Sequence, residues 1–436
     1  MKYRRKIIFI SVLAVMLVST VKIAPAQQTE LKNPDKFIER IPMTANNIDL
    51  EAAIANDAQS LSIIGISVEP LLQTNYDNPG SFLPGLADSW DWSSNKTVLT
   101  FHLKHNITFQ DGTPFNAYAT KYSLDRTILI NDIYGQGKYF EQYIAGASNL
   151  WQSNNITMQQ ANDYLKSGGV TAPDEFTLVI KFLAPNLKNL PLFTSIFVIS
   201  PYAVISHLPS NYTTNQSDSM FGMISLQDEF PNLHDWSKLG LPSNHDPAVS
   251  GIVPQADSNR PSLNTWMTTH VVGTGPYEFL SYTPQQLTFT KFDNWKGTFA
   301  KNAPTQVIWV ADSDINSQSL NFLQGNSDIW FPDTDSSIFN YVDKNGKSII
   351  NGVNAYIVPA LGNFVIHFNF NDSLKTKIIP AQDIQTTWNT SHIIQDKLVR
   401  YNTTTSSYAS LDNPFTALKF REAFSYAFDY NKFLND

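Results

Sequence analysis

LADSWDWSSNKTVLTFHLKHNITFQDGTPFNAYATKYSLDR, residues Leu86 to Arg126, is the stretch that decides the fold. Within it, Thr97 to Leu103 alternates between apolar and polar side chains, which predicts a half-buried β-strand. After a second short strand, Gln110 to Pro114 has the Asp, Gly and Pro residues of a turn. Asn116 is a good N-cap, and no helix breaker follows it before Arg126, so we predict a helix there. The order is strand, turn, strand, turn and helix, with no catalytic group in an obvious place.

Several motifs occur in this stretch in a fixed order. They are Gly-Leu-Ala-x-Ser-Trp from Gly85, Thr-Phe-x-Leu-Lys from Thr100, Phe-x-Asp-Gly-Thr-Pro-Phe from Phe109 and Tyr-Ser-Leu-Asp-Arg from Tyr122. Together they resemble the extracytoplasmic solute-binding proteins of oligopeptide, dipeptide and nickel ABC importers, the extracellular solute-binding protein family 5. That family usually has an acidic pair in the first helical turn, where it complements the helix dipole. Tyr118 and Ala119 occupy those positions here.

The composition indicates an exported protein. The chain has 436 residues, enough for two or three domains, and its 42% of hydrophobic residues supports substantial burial. Only 16% of the residues are charged, which argues against nucleic acid as a partner. Residues 1–26 read as a signal peptide, with a basic start, a mostly apolar run and an Ala-Pro-Ala cleavage pattern. A retained membrane anchor is the alternative, although the apolar run is short for the about 20 residues of a span.

The net charge and the cysteine content further restrict the kinds of site and chemistry that the chain can have. The formal net charge is −8, and removing the leader leaves 25 basic against 38 acidic residues. Cysteine is absent, which excludes disulfides, thiolate metal sites, cysteine catalysis and a lipid-modified N-terminal Cys.

Asn-x-Ser/Thr sequons are numerous in this sequence. They fit a glycosylated surface and our hypothesis of an archaeal cell-surface protein, although a chain rich in Asn, Ser and Thr also makes sequons by chance. The eight acceptors are Asn95, Asn106, Asn155, Asn211, Asn215, Asn371, Asn389 and Asn402.

The rest of the chain mixes strand and helix patterns. We predict further strands at 35–44, 177–183, 287–292, 306–310, 355–359 and 363–371, and further helices at 52–66, 316–325 and 420–428. Residues 172–175 read as a turn, and 190–205 as a buried helix or a strand pair. Residues 210–264 and 372–413 are rich in polar residues, which predicts ordered loops or insertions.

The resemblance implies a fold. It is α/β, a periplasmic-binding-protein-like two-lobed fold (type II) of the large peptide-binding class, with an incomplete second lobe. After the signal peptide, the first lobe would comprise 33–82 and 272–365, with an accessory subdomain at 83–271. The second lobe would start at 366–436. By resemblance the protein is a monomer whose lobes close on a ligand about a hinge, and the closed form docks on a membrane permease.

The resemblance also implies ligand contacts in two places. Glu69 and Tyr76 follow the first predicted helix, beside the expected cleft. For Glu69, a solvated position before a helix-ending proline is the alternative. Asn363, Phe364 and His367 lie on the strand expected at the hinge, where packing is the alternative role.

Metal binding has little support in the sequence. His102 and His105 are three residues apart on a predicted strand, so they face opposite sides and cannot share an ion. Asp312 to Asn316 starts like a calcium loop but lacks the required Gly and Glu, and better fits the N-cap of a helix.

Catalysis and nucleotide binding also have little support. Gly273-x-Gly275 lacks the third Gly of a nucleotide fingerprint and precedes a predicted strand, so a tight backbone turn is the better interpretation. The acidic pairs Asp174-Glu175 and Asp228-Glu229 sit in predicted turns, where we expect no shifted pKa.

We therefore interpret the chain as a non-enzymatic receptor, without metal or cofactor, that binds short peptides outside the cell and delivers them to an ABC permease. A secreted glycan-binding or glycan-active protein is the alternative from another class, because aromatic residues make up 13% of the chain. A third reading is a non-binding fragment of such a receptor, since the chain stops seven residues after Asp429, near the start of the expected second lobe.

Overall fold

The computed structural model describes residues 34–42, 48–55, 57–75, 78, 80–130, 135–151, 156–185, 187–208, 223–252, 266–330, 341–343, 347–350 and 353, and the backbone of three strands between 391 and 412. The chain divides into two compact units, Met1–Ala355 and Tyr356–Asp436. The predicted signal peptide and the elements predicted at 355–359, 363–371 and 420–428 lie outside the described residues.

The described residues contain strands and helices in consecutive groups. The strands are β1 (Lys36–Ile41), β2 (Leu72–Thr74), β3 (Phe82–Pro84), β4 (Ala87–Trp92), β5 (Val98–Leu103), β6 (Val170–Asp174), β7 (Thr177–Lys181), β8 (Tyr277–Thr283), β9 (Gln286–Lys291), β10 (Gln306–Ala311), β11 (Ser391–Ile394), β12 (Lys397–Asn402) and β13 (Ser407–Asp412). The α-helices are α1 (Ala58–Ser67), α2 (Ala117–Ile130), α3 (Gly137–Glu141), α4 (Ser148–Trp151), α5 (Met158–Ser167), α6 (Pro201–Ser206), α7 (Leu226–Glu229) and α8 (Ile315–Leu323). Leu187–Thr194 and Trp236–Leu239 are 3₁₀ helices.

Two four-stranded sheets organise the first unit. One has the order β1-β10-β9-β8, with β1 parallel to β10 and the other pairs antiparallel. The other has the order β4-β5-β7-β6 and is antiparallel throughout. Considered by itself, the second unit contains an antiparallel sheet of β11, β12 and β13.

The opening stretch folds as its sequence predicts in all but one element. Alternate residues of β5, namely Leu99, Phe101 and Leu103, are buried. The side chain of Asn116 caps α2 by accepting a hydrogen bond from the backbone N–H of Ala119 at 3.0 Å. The first strand, the turn and the helix are therefore confirmed, whereas the second predicted strand is only an isolated bridge between Thr108 and Pro114.

Residues 223–252 cover α2, which explains why nearly every side of this helix is buried. The amide of Asn116 donates to the carbonyl oxygen of Lys238 at 2.6 Å. The Tyr122 hydroxyl donates to the carbonyl oxygen of Ser250 at 2.6 Å. Phe230 and other apolar residues of the segment are buried in the common core, so the segment is an ordered loop that carries one short α-helix.

Two element predictions need correction. The helix predicted at 52–66 begins only at Ala58, because the Asp57 side chain caps it through the backbone N–H of Ser60. The turn predicted at 172–175 begins later, because β6 continues to Asp174. Pro173 fits there since β6 is an edge strand, where a missing N–H is tolerated.

A buried ion pair joins the chain before α1 to α2. The guanidinium of Arg126 donates to both carboxylate oxygens of Glu51, each at 2.6 Å. Both residues are almost fully buried, and Glu51 also accepts the backbone N–H of Ala53 at 3.1 Å. A bidentate pair of this kind compensates two charges that would otherwise be costly to bury.

Gln110 joins the opening stretch to two other parts of the first unit. Its Nε2 lies 3.0 Å from the carbonyl oxygen of Ser67, 3.2 Å from that of Gly275 and 3.0 Å from that of Tyr277. Its Oε1 accepts the Ser67 hydroxyl and the backbone N–H of Gly273, each at 3.0 Å. This one side chain therefore fixes the end of α1 against residues 273–277.

Gly273 and Gly275 are needed for close approach. A Cβ on Gly273 would collide with the carbonyl oxygen of Ser67, and one on Gly275 would lie 2.7 Å from the Ser67 carbonyl carbon. The backbone N–H of Gly275 donates to the carbonyl oxygen of Ser67 at 2.9 Å. β8 follows directly, which confirms that this motif is not a nucleotide fingerprint.

Glu51→Gln should destabilise the protein by about 3–5 kcal/mol, because it leaves the buried Arg126 guanidinium without a compensating charge. Denaturant unfolding measures this loss. Asp91→Asn is the matched control, since Asp91 pairs with His102 at the exposed surface and should cost less than about 1 kcal/mol. Similar losses for both variants would contradict the structural role of the buried pair.

Gly273→Ala should destabilise the protein by on the order of 1–3 kcal/mol, because the new methyl group must displace backbone at the end of α1. Gly65→Ala is the control. Gly65 lies within α1, and a Cβ added there would meet open space. This variant should stabilise the protein by about 0.5–1 kcal/mol, the helix preference for Ala over Gly. Thermal unfolding of both variants tests the contrast, and equal effects would show that close packing at Gly273 is unimportant.

Candidate functional site

Glu69 lies just beyond the end of α1, where three separate chain segments meet. The backbone N–H of Leu86 donates to the carbonyl oxygen of Pro70 at 2.9 Å, and that of Lys104 donates to the carbonyl oxygen of Leu86 at 2.9 Å. The Gly273 and Gly275 contacts with Ser67 bring Thr274 to the same place. Glu69 is half-buried there, and its role as a ligand contact stays a prediction.

Burial raises the pKa of the Glu69 carboxyl above its ordinary value. The side chains of Trp295 and Thr274 and the positive charge of Lys104 oppose this shift. Thr274 is only 1% exposed. Neither the Trp295 indole N–H nor the Thr274 hydroxyl completes a hydrogen bond with another residue in the described part of the chain. Both groups therefore lie close enough to Glu69 to favour its charged form, without completing a hydrogen bond in the described ranges.

An aromatic group adjoins this carboxylate. The rings of Trp295 and Phe299 meet edge to face, with centroids 4.7 Å apart. Phe299 also contacts Tyr277, and the Lys291 ammonium lies 4.1 Å from its centroid. Gly297 lets the Trp295 ring lie against the backbone, since any Cβ there would collide with it. Trp295 and Phe299 are only partly buried, so they present an aromatic surface.

The other residues predicted to contact ligand lie outside the described residues. These are Tyr76, Asn363, Phe364 and His367, and their role stays a prediction. Sequence reasoning missed Thr274, Trp295 and Lys104 as neighbours of Glu69. Thr274 lies in a motif that resembled the family, but nothing local indicates that it faces Glu69.

The residues that were considered as metal ligands have other contacts in the structure. His102 lies 3.1 Å from Asp91, whereas His105 lies beyond β5 and stacks on Phe176. Asp314 caps α8, accepting the backbone N–H of Asn316 at 2.8 Å, as the N-cap interpretation predicts. Within the described ranges no three His, Asp or Glu side chains are grouped to hold a metal ion.

One acidic pair was interpreted wrongly. Asp228 is exposed, but Glu229 ends α7 and is 2% exposed. Burial raises the pKa of Glu229 to about 8, against the expectation of no shift. The polar neighbours in the sequence suggested a turn, whereas Leu226 and Phe230 draw this segment into the core.

No helix in the described ranges combines the length and apolar character that crossing a membrane requires.

The family of the chain follows from comparison with known proteins. Residues 81–436 match the profile of the bacterial extracellular solute-binding proteins, family 5 Middle. The chain belongs to this family. The match and the α/β content of the described residues confirm the predicted fold class.

Individual relatives match over shorter stretches. The periplasmic oligopeptide-binding protein OppA of Escherichia coli (strain K12) is 30% identical over 118 residues, 27% of this chain and 20% of that protein. The probable D,D-dipeptide-binding periplasmic protein DdpA of the same organism is 36% identical over 91 residues, 20% of this chain and 17% of that protein. A solved structure of an oligopeptide-binding protein of Borrelia burgdorferi is 18% identical, with a TM-score of 0.44. The match covers 67% of this chain and 46% of that protein. Each match spans less than half of the relative.

Trp295→Phe should raise the pKa of Glu69 further, because it removes an indole N–H that favours the charged carboxylate. Carbon-13 NMR titration of the glutamate carboxyls measures this shift. Trp309→Phe is the matched control: its indole donates to Glu39 at 2.8 Å, so it should raise the Glu39 pKa and leave that of Glu69 unchanged. An unchanged Glu69 midpoint in Trp295→Phe would contradict the arrangement.

Proposed function

We propose that this protein is the extracytoplasmic substrate-binding component of an ABC importer, and that it takes up short peptides. Membership of the solute-binding family supports a receptor role. The names of the curated relatives support peptides as the ligand. The observation that carries the proposal is the half-buried Glu69 carboxylate, which lies beside the buried donors of Thr274 and Trp295 and next to the partly exposed rings of Trp295 and Phe299.

The Glu69 carboxylate matches one polar feature of a peptide. It accepts hydrogen bonds, so it suits a peptide N–H group or amine. The Trp295 indole N–H and the Thr274 hydroxyl are buried beside it, and they favour its charged form. The partly exposed rings of Trp295 and Phe299 provide an apolar wall for a side chain. Recognition of this kind is reversible and requires no chemical step.

The remaining parts of the proposal come from the family pattern. Tyr76, Asn363, Phe364 and His367 would contribute the rest of the ligand contacts. The protein would act outside the cytoplasm as a monomer, and its ligand-bound form would dock on a membrane permease. Among the sequons, Asn95 and Asn106 are exposed, which suits them as glycosylation acceptors.

Short peptides should raise the thermal unfolding temperature of the native protein without being cleaved. Ligand at 100 times its Kd contributes about 2.7 kcal/mol of stability. Glu69→Gln should weaken peptide binding at least tenfold, roughly the loss of one charge-assisted hydrogen bond. Calorimetric titration measures the affinity, and mass spectrometry of the recovered peptide checks for cleavage.

Glu175→Gln serves as the control, because Glu175 pairs with Lys238 at a half-exposed position. The affinity of this variant for peptides should equal that of the wild type. Stabilisation by oligosaccharides instead of peptides, or release of products from a polysaccharide, would overturn the proposal in favour of a glycan-directed protein.

A further inference from the structure

Glu229 is a buried carboxylate without a hydrogen-bond partner in the described part of the chain. It is 2% exposed, and neither of its carboxylate oxygens has a hydrogen bond to another residue of the described ranges. Leu226 and Phe230, which flank it on α7 and just beyond, are buried as well. A charged carboxylate in such surroundings is strongly disfavoured, because it loses water and gains no compensating contact.

The charged groups around Glu229 are already engaged. On α2, the Lys121 ammonium donates to one carboxylate oxygen of Asp125 and lies 4.9 Å from the ring centroid of Phe230. The other oxygen of Asp125 accepts the Tyr164 hydroxyl from α5 at 2.6 Å. Lys121 and Asp125 thus neutralise each other, and an ionised Glu229 would add one unmatched negative charge.

The titratable groups farther from Glu229 do not change the charge balance around its carboxylate. Tyr122 donates to the carbonyl oxygen of Ser250, and Arg126 is paired with Glu51. Near Tyr164, Glu141 accepts a hydrogen bond from Lys138 at 3.1 Å. On α7 itself, the exposed Asp228 accepts the Ser225 hydroxyl at 2.7 Å. None of these contacts supplies a positive charge to Glu229.

We propose that Glu229 is a proton-dependent latch, which holds residues 223–252 closed over α2 when its carboxyl is protonated and loosens them when the proton is lost. The latch needs no ligand. It makes the cover of α2 sensitive to the pH of the surroundings, because Asn116, Tyr122 and the core beneath the segment depend on its closure.

The direction of the pH effect follows from proton linkage. Burial raises the pKa of Glu229 to about 8 in the closed form, with Lys121 opposing the shift and Asp125 adding to it. In an open segment the carboxyl titrates near its ordinary value of about 4.3. Between these values, opening releases one proton, so the opening constant rises about tenfold per pH unit. Above about pH 8 both forms are ionised and the effect levels off.

Hydrogen exchange measured by mass spectrometry tests the latch. After correction for intrinsic exchange rates, protection of wild-type peptides from 223–252 should fall by about tenfold per unit between pH 5 and 8 and then stay constant. Glu229→Gln keeps the shape of the side chain without a titrating proton, so its protection should not vary with pH. Asp228→Asn removes the neighbouring exposed carboxylate and should keep the wild-type slope.

Three outcomes would overturn the proposal. One is wild-type protection that does not depend on pH, a measurement that requires no variant to fold. Another is a Glu229→Gln slope equal to that of the wild type. The third is an equal loss of protection in peptides from β8, β9 and β10, because a general loss of stability would then explain the change.

Discussion

The side chain of Gln110 is the contact on which the arrangement of the first unit depends. An amide donates and accepts from one rigid plane, so neither a carboxylate, which lacks donors, nor an ammonium, which lacks an acceptor, could replace it. It binds the end of α1 and residues 273–277 together. Glu69 lies two residues beyond Ser67, and Thr274 lies between the two glycines that approach Ser67. The positions of Glu69 and Thr274 next to each other therefore depend on this one side chain.

The buried charged groups around α2 lower the free-energy cost of burying a charge in two different ways. Arg126 and Glu51 compensate each other through two parallel hydrogen bonds. Asp125 shares its two oxygens between Lys121 and Tyr164. Glu229 has neither kind of partner in the described part of the chain, so neutralisation by a proton is the remaining way to lower its cost. The core around α2 therefore contains two carboxylates with compensating partners, Glu51 and Asp125, and one without, Glu229 of α7.

The sequence predicted those features that depend on neighbouring residues. The caps at Asn116 and Asp314 each act within three positions along the chain, and the alternation in β5 is local too. The start of α1 was placed too early, because the apolar pattern before Asp57 belongs to a turn whose Glu51 binds Arg126, 75 residues away. The neighbours of Glu69 were missed for the same reason: Thr274 and Trp295 reach it from remote segments. The burial of Glu229 depends on how 223–252 packs on α2, which no local pattern records.

The parallel pairing of β1 with β10 has a consequence for how the protein folds during synthesis. Glu39 of β1 and Trp309 of β10 are in contact although they are 270 residues apart in the chain. Translation at about 5–20 residues per second means that β1 waits on the order of tens of seconds for its partner. The strands of the β4 to β7 sheet all lie within residues 87–181, so their pairing requires no such wait. The partner of β1 is therefore among the last strands of the first unit to be synthesised.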